Sequence, residues 1–356
     1  MDDNNNKIKI NMLSMADSVD GQGVGSAYLE LMKLLNEDGK NDFEIFLNKG
    51  TKYDIIHAHT VEPRNYLKLK FSKNPTVAYV HFLPDTLDGS IKLPKPIFKI
   101  FKKYVISFYK SADYLVVVNP IFKKDIAKAG IKEDKITYIP NFVSKEMFYK
   151  KTDKEIKDIR KKLGIKENKF VVLGAGQIQN RKGVIDFVEV AKKLPKIDFI
   201  WAGGFSFGGI TDGHHDLKKI MENPPKNVRF LGIVPRNEMN DLFNASDLLF
   251  VPSYNELFPM TILEAISTDT PILLRDLELY EDILFKKYLK GSNNDEFSEI
   301  IKLLSNDKKE YQKQVENAKE ISKFYSKEHV YKMWKEFYTE IAKKKKKEKK
   351  KRKKSE

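Results

Sequence analysis

The sequence contains no cysteine, which excludes a disulfide framework, thiol chemistry and any cysteine-based metal site. It also lacks an apolar run approaching the about 18 residues that a membrane-spanning helix needs. Residues 1–6 are polar and acidic, without the basic start and apolar core of a signal peptide. These absences lead us to expect a cytoplasmic protein that is soluble or peripherally attached to a membrane.

Positive charge is concentrated at the end of the chain. Residues 343–356 hold 11 lysines or arginines against 2 glutamates, which is +9 of the formal net charge of +15 and leaves +6 for the rest. Because a block of one sign repels itself, we expect this tail to be disordered. The tail is either solvated without a partner or attracted to an anionic surface, a membrane more than a nucleic acid.

The length of 356 residues and the hydrophobic content of 41 % suit two globular domains of roughly 150 residues each. Short apolar segments typical of strands alternate with helical segments such as 27–35. The first series of predicted strands covers 7–12, 43–47, 54–57, 76–80, 114–118 and 136–139. The second series covers 170–174, 197–202, 227–231, 248–251 and 271–274.

Two such series predict an α/β protein with two doubly wound, Rossmann-like domains. Ligands of these sheets bind at the carboxyl ends of the strands, so we expect the site in a central cleft between the domains. We place an N-terminal domain at 1–148 and a C-terminal domain at 149–325. A helix over 326–342 follows, and the basic tail ends the chain.

The segment PSYNELFPMTILE, residues 252–264, is the strongest chemical signal. A predicted strand ends before it, a loop holds Glu256, and Pro259 suits the first position of a helix that continues through Glu264. The free amides and the positive dipole end of that helix suit a diphosphate. The two carboxylates can accept hydrogen bonds from sugar or ribose hydroxyls. Taken alone, the segment fits equally two surface glutamates at a helix start.

The spacing of Glu256 and Glu264 resembles that of the retaining glycosyltransferases of family four, which have the GT-B fold. The segments 138–148 (YIPNFVSKEMF) and 230–253 (FLGIVPRNEMNDLFNASDLLFVPS) are similar to parts of that family too, and the resemblance extends over nearly the whole chain. It implies that Glu256 contacts the donor sugar near its reacting carbon and that Glu264 binds the ribose.

The same resemblance implies that amides near three further residues meet the sugar and the diphosphate, namely Phe258, Met260 and Thr261. The sequence departs from the family at two positions, because Leu257 and Pro259 stand where the family usually has glycine. Pro259 has no N–H, so one expected backbone contact is absent.

The segment GAGQIQNRKG, residues 174–183, follows a predicted strand as a phosphate-binding turn does. Lys182 can neutralise a departing diphosphate, and it matches the lysine of the family. Gln177 stands where the family has arginine, and Arg181 could supply that charge. The alternative is an ordinary strand–helix loop with surface cations.

The segment GQGVG, residues 21–25, lacks the third glycine of a dinucleotide-binding fingerprint, since Ser26 stands there. The resemblance implies that this loop, with Gly23 at its centre, approaches the donor diphosphate and the acceptor. The alternative is a plain tight turn.

His81 closes a predicted strand, and its family counterpart touches the donor sugar; the alternative is a structural histidine. The pair His57 and His59 suggests a metal only weakly, since no acidic partner or third ligand is evident. No Asp-x-Asp pair occurs, so we expect neither a metal nor a cofactor. Lys182 and the amino end of the helix that begins at Pro259 would neutralise the negative charge of the diphosphate.

Residues 92–110 predict a basic helix with aromatic residues on its apolar face, which can lie in a membrane interface or pack on the core. The residues that we assign to a membrane are Lys95, Phe98, Lys99, Phe101, Lys102 and Lys103.

Three N-terminal segments carry a closer resemblance, namely 11–28 (NMLSMADSVDGQGVGSAY), 79–98 (YVHFLPDTLDGSIKLPKPIF) and 105–122 (VISFYKSADYLVVVNPIF). Within the family they resemble bacterial diglycosyl-diacylglycerol synthases, the galactosylglucosyl and diglucosyl enzymes. The resemblance implies a hexosyltransferase that moves glucose or galactose from UDP-glucose or UDP-galactose to monoglucosyl-diacylglycerol. It would work with retention at the inner face of the cell membrane. Alternatives are a soluble or polysaccharide acceptor, a UDP-sugar epimerase, or a nucleic-acid-binding protein with a basic tail, although we expect no specific nucleic acid.

Overall fold

Two parallel β-sheets organise the chain, each in its own compact unit. The computed structural model describes residues 7–14, 23–49, 52–83, 94–205, 214–256 and 258–355; for residues 23, 24, 95 and 348–355 it describes the backbone alone. The first unit comprises the described residues up to 142 together with 326–355, and the second unit comprises 143–325.

The first sheet has six strands in the order β2-β1-β3-β4-β5-β6, and every pairing is parallel. Its strands are β1 (Ile8–Leu13), β2 (Phe43–Leu47), β3 (Ile55–Ala58), β4 (Thr76–Val80), β5 (Tyr114–Val117) and β6 (Ile136–Tyr138). The residues of β3 and β4 are all buried, as expected for the central strands of a sheet that is covered on both faces.

The helices of the first unit connect these strands and cover the sheet. They are α1 (Gly23–Glu37), α2 (Pro63–Lys70), α3 (Lys95–Lys110), α4 (Phe122–Lys128) and, from the end of the chain, α13 (Lys327–Ser355). Helix α1 extends beyond the predicted 27–35 at both ends.

The second sheet has the order β12-β11-β10-β7-β8-β9 and is also wholly parallel. Its strands are β7 (Val171–Ala175), β8 (Asp198–Ala202), β9 (Val228–Phe230), β10 (Leu248–Val251), β11 (Ile272–Arg275) and β12 (Leu289–Gly291). All eleven predicted strands are present, while the sequence reading missed β12, a three-residue edge strand with the sequence LKG.

Eight helices are described in the second unit, from α5 to α12 in chain order. They are α5 (Asp153–Lys162), α6 (Val184–Lys193), α7 (His214–Glu222), α8 (Arg236–Ala245), α9 (Met260–Ser267), α10 (Leu279–Ile283), α11 (Asn294–Asn306) and α12 (Lys308–Phe324). Thr152 and Glu155 form a reciprocal capping box that begins α5.

The boundary between the units lies at 142/143, six residues before the predicted 148/149. Phe148 explains the difference, because it is fully buried and its ring packs against Phe243 at 6.0 Å between centroids. The backbone N–H of Tyr149 also donates to Asn240 Oδ1 at 3.1 Å. Residues 143–148 therefore belong with the second core.

Helix α13 packs on the first sheet. Trp334 is 1 % exposed and stacks on Tyr79 of β4 at 5.7 Å, and Tyr338 is fully buried. At the edge of β2, Lys335 pairs with Asp42 at 2.8 Å. The last helix thus completes the hydrophobic core of the first unit.

The basic tail is helical through Ser355, which corrects the expectation that residues 343–356 are disordered. The helix continues from a packed segment, and lysine is a good helix former. Lys345 Nζ donates to the carbonyl oxygen of Asp54 at 3.0 Å, and Lys344 pairs with Glu340 at 2.7 Å. Cations near the carboxyl end of a helix are also favoured by its dipole.

Among the residues that the structure describes, no helix is both long enough and apolar enough to cross a bilayer.

Candidate active site

The chemical motifs of the second unit follow two neighbouring strands of its sheet. Strand β7 ends at Ala175 and leads into the loop that contains Lys182, and β10 ends at Val251 and leads into the loop that contains Glu256. The two strands pair directly and in parallel, so both loops leave the same edge of the sheet. This edge is where ligands of doubly wound sheets bind.

Gly183 brings these two loops into contact. Its φ of +70° lies in the left-handed region, and a Cβ atom at this position would lie 2.4 Å from the carbonyl oxygen of Pro252. A side chain is therefore excluded both by conformation and by space. The backbone N–H of Tyr254 donates to the carbonyl of Arg181 at 2.8 Å, which ties the same loops together a second time.

Lys182 and Glu256 form an ion pair where the loops meet. The Lys182 ammonium donates to Glu256 Oε1, and the two side chains are only 14 % and 7 % exposed. Arg181 Nη1 lies 4.0 Å from Glu256 Oε2 and donates to the carbonyl of Asn255 at 3.3 Å. Burial lowers the pKa of Lys182, and the charge of Glu256 opposes that shift. Two cations and one carboxylate thus share one small region.

Helix α9 begins one residue later than predicted, at Met260, with Pro259 as its extended cap residue. Pro259 has neither a capping side chain nor an N–H, so the amides of the first turn, Met260 and Thr261 among them, begin the helix without a side-chain cap. The side chains of Phe258 and Met260 are buried, and the Phe258 ring packs against Tyr325 at 5.2 Å. Leu257 lies outside the described residues.

Glu264 lies inside α9 and is 5 % exposed. Its Oε1 is 3.5 Å from Nε of Arg236, the first residue of α8, and the Arg236 guanidinium lies 5.3 Å from the ring centroid of Phe148. The carboxylate is therefore held beside a cation at the start of a neighbouring helix.

Arg275 holds the loop that contains Glu256 through contacts with Pro252 and Tyr254. It is 8 % exposed at the end of β11, where its Nε donates to the carbonyl of Pro252 at 2.8 Å. Its Nη2 lies 3.1 Å from Asp186 of α6, and its guanidinium stacks on the Tyr254 ring at 3.9 Å. One buried cation thus connects β11, α6 and the loop after β10.

Two predicted donor-site residues remain, Gln177 in the second unit and Gly23 in the first. Gln177 follows β7, and its Oε1 accepts a hydrogen bond from Gln179 Nε2 at 2.8 Å. Gly23 is the first residue of α1 in the first unit, and the preceding part of the GQGVG segment, residues 21–22, lies outside the described residues.

His81 follows β4 in the first unit and is 7 % exposed. It stacks on Tyr79 at 4.2 Å, and its Nε2 lies 3.2 Å from Nδ1 of His59. Burial lowers the pKa of His81 to about 3, so the ring is neutral near pH 7.

The sequence profile of the glycosyl transferases group 1 matches residues 155–321, and the profile of glycosyltransferase family 4 matches residues 40–146. Over 334 residues the chain is 48 % identical to the alpha-galactosylglucosyldiacylglycerol synthase of Streptococcus pneumoniae R6, covering 93 % of this chain and 89 % of the relative. The chain belongs to the family-four glycosyltransferases. It is a hexosyltransferase.

Other similar proteins agree with this assignment. The processive diacylglycerol alpha-glucosyltransferase of Acholeplasma laidlawii is 29 % identical over 324 residues, with 90 % of this chain and 94 % of the relative covered. Among solved structures, the Anabaena protein HepE in complex with UDP and glucose gives a TM-score of 0.73 at 17 % identity, covering 93 % of this chain and 99 % of that one. Sucrose-phosphate synthase from Thermosynechococcus elongatus gives a TM-score of 0.76 at 14 % identity, covering 94 % of this chain and 99 % of that one. The fold is GT-B.

The sequence reading of this glycosyltransferase missed Arg236 and Arg275. Arg236 lies within the segment 230–253 that resembles the family, but neither arginine stands at a spacing that predicts contact with a glutamate or with the loop after β10. Arg236 of α8 contacts Glu264 of α9, and Arg275 of β11 contacts Pro252 in the loop after β10. Only the arrangement of helices and strands brings them to the site.

No group of three or more His, Asp or Glu side chains is placed to hold a metal in the part of the chain that the structure describes. The ring centroids of His57 and His59 instead lie 4.4 Å apart with the planes tilted by 36°, and each ring stacks on Tyr79.

Helix α3 of the glycosyltransferase has two halves. Val105 and Phe108, which lie on the apolar face of the predicted helix, are fully buried in the core of the first unit, as the core-packing alternative expects. The residues that we assigned to a membrane lie in the other half of α3. Phe98 and Phe101 are half-buried, and Lys99 and Lys103 are exposed. Lys102 Nζ lies 4.8 Å from the centroid of the Phe98 ring, and the side chain of Lys95 is outside the described part. The most exposed apolar residues here are Ile97 and Ile100, at 52 % and 68 %.

Helix α2 lies against α3. Tyr66 of α2 contacts α3 through a hydrogen bond to Ser107 at 3.1 Å and through the Tyr104 ring at 6.1 Å. Leu67 within α2 and Phe71, directly after its end, are 53 % and 74 % exposed. Isolated exposed apolar side chains are ordinary on a protein surface, whereas here two lie on α3 and two lie on or directly after α2, beside several lysines.

Proposed function

We propose that this glycosyltransferase moves glucose or galactose from a UDP-sugar to monoglucosyl-diacylglycerol and so forms a diglycosyl-diacylglycerol. The observation that carries this proposal is the 48 % identity, over nearly the whole chain, to a relative named for the synthesis of alpha-galactosylglucosyldiacylglycerol. A second relative is named as a diacylglycerol glucosyltransferase, and a third as an alpha-monoglucosyldiacylglycerol synthase.

The donor would bind at the carboxyl edge of the second sheet. Its diphosphate would meet the first-turn amides of α9 together with Lys182, and Arg181 would add positive charge where the family has an arginine at the position of Gln177. Glu264, which Arg236 holds in place, would accept hydrogen bonds from the ribose hydroxyls. These residues supply enough positive charge for a diphosphate, so we propose that the enzyme works without a metal or a cofactor.

Glu256 would contact the hexose near its reacting carbon. The acceptor hydroxyl oxygen forms the new bond to the anomeric carbon on the face that the phosphate oxygen leaves, so the configuration is retained. The bond from that carbon to the UDP oxygen breaks, and the hydroxyl proton passes to the departing phosphate. Lys182 and the start of α9 would stabilise the charge that develops on UDP. The Phe258 and Met260 side chains remain packed in the core while their backbone borders the sugar.

Lys182 has two anionic partners in this scheme. Its ammonium pairs with Glu256 in the structure, and the diphosphate would compete for the same ammonium. As the diphosphate binds Lys182, the Glu256 carboxylate becomes available to the sugar hydroxyls. Donor binding thus sets both groups in their working positions.

The acceptor would be reached from the membrane. Ile97, Ile100, Leu67 and Phe71 are exposed next to lysines of α2 and α3, which suits an interface of acyl chains and anionic headgroups. The lysines at the end of α13 add charge, and each lysine near an anionic surface contributes about 1 kcal/mol. We therefore propose a peripheral enzyme at the inner face of the cell membrane.

The test is product formation with vesicles of anionic phospholipid that contain monoglucosyl-diacylglycerol. UDP-glucose and UDP-galactose are supplied separately, and the lipid product is isolated for the anomeric configuration of the new sugar by proton NMR. An α-linked second hexose from one donor supports the proposal. Transfer to glucose or to a soluble glycan at an equal rate without lipid would replace the lipid acceptor with a soluble one.

A further inference from the structure

Three histidines of the first unit form one aromatic cluster with Tyr79. The Tyr79 ring stacks on His81 at 4.2 Å and 25° between planes, and on His59 at 4.9 Å and 19°. His57 lies 5.8 Å from the same ring. Tyr79 is itself held by a hydrogen bond from its hydroxyl to Asn141 at 3.1 Å and by Trp334 of α13 at 5.7 Å. The planes of both His59 and His81 are thus fixed by stacking.

The two histidines share one hydrogen bond, between Nδ1 of His59 and Nε2 of His81 at 3.2 Å. Burial lowers the pKa of His81 to about 3 and that of His59 well below its usual value, so both rings are neutral near pH 7. Each neutral ring carries one N–H, and one ring must donate while the other accepts. Two arrangements of the protons are therefore possible.

The second nitrogen of His59 distinguishes them. Nε2 of His59 is buried and has no hydrogen-bond partner among the residues that the structure describes. If His59 accepted from His81, its own proton would lie on this Nε2 as a buried N–H without an acceptor. If His59 donates from Nδ1, Nε2 is only an unpaired acceptor, which is the less costly arrangement in protein interiors.

We propose that His59 is a positioning residue, which donates from Nδ1 to Nε2 of His81 and so keeps the His81 proton on Nδ1. His81 then offers an N–H donor to a substrate hydroxyl oxygen. The contact with substrate rests on the proposed function, whereas the tautomer follows from the cluster alone. His59 therefore acts on the reaction through His81 and does not touch the substrate.

Two substitutions of His59 separate this role from packing. His59→Phe keeps a ring to stack on Tyr79 but removes the hydrogen bond. His59→Asn loses the ring but places an amide nitrogen near the position of Nδ1, so that a donor to His81 is retained. We expect His59→Asn to stay within about threefold of the unchanged protein in kcat/KM, and His59→Phe to lose roughly 10- to 100-fold, the effect of one misdirected hydrogen bond to a hydroxyl. The reverse order would mean that His59 only packs, and would overturn the proposal.

Nitrogen NMR of the histidine side chains in the full-length protein reads the tautomer directly. The His81 signals are assigned by their loss in His81→Gln, and the one-bond coupling shows which ring nitrogen carries the proton. We expect Nδ1–H in the unchanged protein and a shift toward Nε2–H in His59→Phe. An Nε2–H tautomer in the unchanged protein would refute the proposal even where neither His59 variant folds.

The two measurements also separate this inference from the proposed function. If the unchanged protein transfers no sugar to the glycolipid, the proposed function fails. The NMR spectra then still decide whether His59 holds the proton of His81 on Nδ1.

Discussion

The Lys182 ammonium donates a hydrogen bond to the carboxylate of Glu256, 74 residues further along the chain. The contact joins the loop after β7 to the loop after β10, and Gly183 allows the two loops to approach each other. This pair is the centre of the proposed donor site.

Lys182→Gln should lower kcat by roughly 100-fold or more, because the charge that develops on the departing UDP loses its main cation. Lys192→Gln is the matched control, since Lys192 belongs to the following helix and is 54 % exposed beside Glu189. We expect the control to stay within about twofold. The measurement is steady-state UDP release, and equal rates for the two variants would exclude Lys182 from the site.

Gly183→Ala should destabilise the second unit and abolish transfer. The new Cβ would overlap the carbonyl oxygen of Pro252, and its residue must also keep a φ of +70°. Gly164→Ala is the control, because its φ is +65° but no atom lies within 4 Å of the added Cβ. We expect a loss in unfolding free energy of about 1 kcal/mol for Gly164→Ala and about 3 kcal/mol or more for Gly183→Ala. Equal losses in urea unfolding would show that the loop contact is unimportant.

Glu264→Gln should weaken donor binding more than it slows the chemistry. The change keeps the shape of the side chain but removes the charge that pairs with Arg236 and accepts from the ribose. A hydrogen bond to a charged group is worth about 1.5–3 kcal/mol, so we expect KM for the UDP-sugar to rise roughly tenfold or more while kcat changes little. Glu238→Gln, an exposed residue in the first turn of α8, is the control. A fall in kcat with unchanged KM would place Glu264 at the reacting carbon instead.

Acid should destabilise the first unit below pH 6.5, because burial lowers the pKa of His57 to about 3 from an ordinary value of 6.5. Between these two values the unfolded chain binds a proton that the folded chain does not, so stability is full above pH 6.5 and falls with pH toward 3. At pH 5 this one histidine costs about 2 kcal/mol in unfolding free energy. The unfolding free energy of each protein is measured by urea unfolding at pH 7.5 and at pH 5. Its decrease between these two pH values should be smaller by about 2 kcal/mol in His57→Phe than in the unchanged protein. The same pH dependence in both proteins would contradict the prediction.

Ile97→Glu should reduce sedimentation with anionic vesicles by roughly tenfold, because it places a carboxylate on the proposed membrane surface. Leu303→Glu is matched in exposure, 49 % against 52 % for Ile97, and lies on helix α11 of the second unit. It should bind vesicles normally. If both variants bind alike, the α2–α3 surface does not attach the enzyme.

Much of this fold could be predicted from the sequence, because buried parallel strands appear as short apolar runs separated by helices. The edge strand β12 was missed, since its sequence LKG is short and contains a lysine. The helical tail was not predicted because charge repulsion is visible in the sequence, whereas the pairing of Lys344 with Glu340 one turn earlier and the contact of Lys345 with Asp54 are not.

For the candidate site, the sequence indicated Lys182, Glu256 and Glu264 through the resemblance to family four together with their positions after strands and in a helix. It could not indicate Arg236 or Arg275, whose partners come from other elements of the second unit. The hydrogen bond between His59 and His81 is of the same kind, since β3 and β4 must first lie side by side. Spacing within one segment is visible in a sequence, whereas pairing across a sheet depends on the fold.

The most direct test of the account is UDP release from UDP-glucose and UDP-galactose in the presence of anionic vesicles with monoglucosyl-diacylglycerol, measured for the unchanged protein and for Glu256→Gln. We expect release with one donor, dependent on the glycolipid, and a loss of roughly 100-fold or more in a Glu256→Gln protein that is still folded. Release at an unchanged rate by Glu256→Gln, or release that does not need the glycolipid, would contradict it.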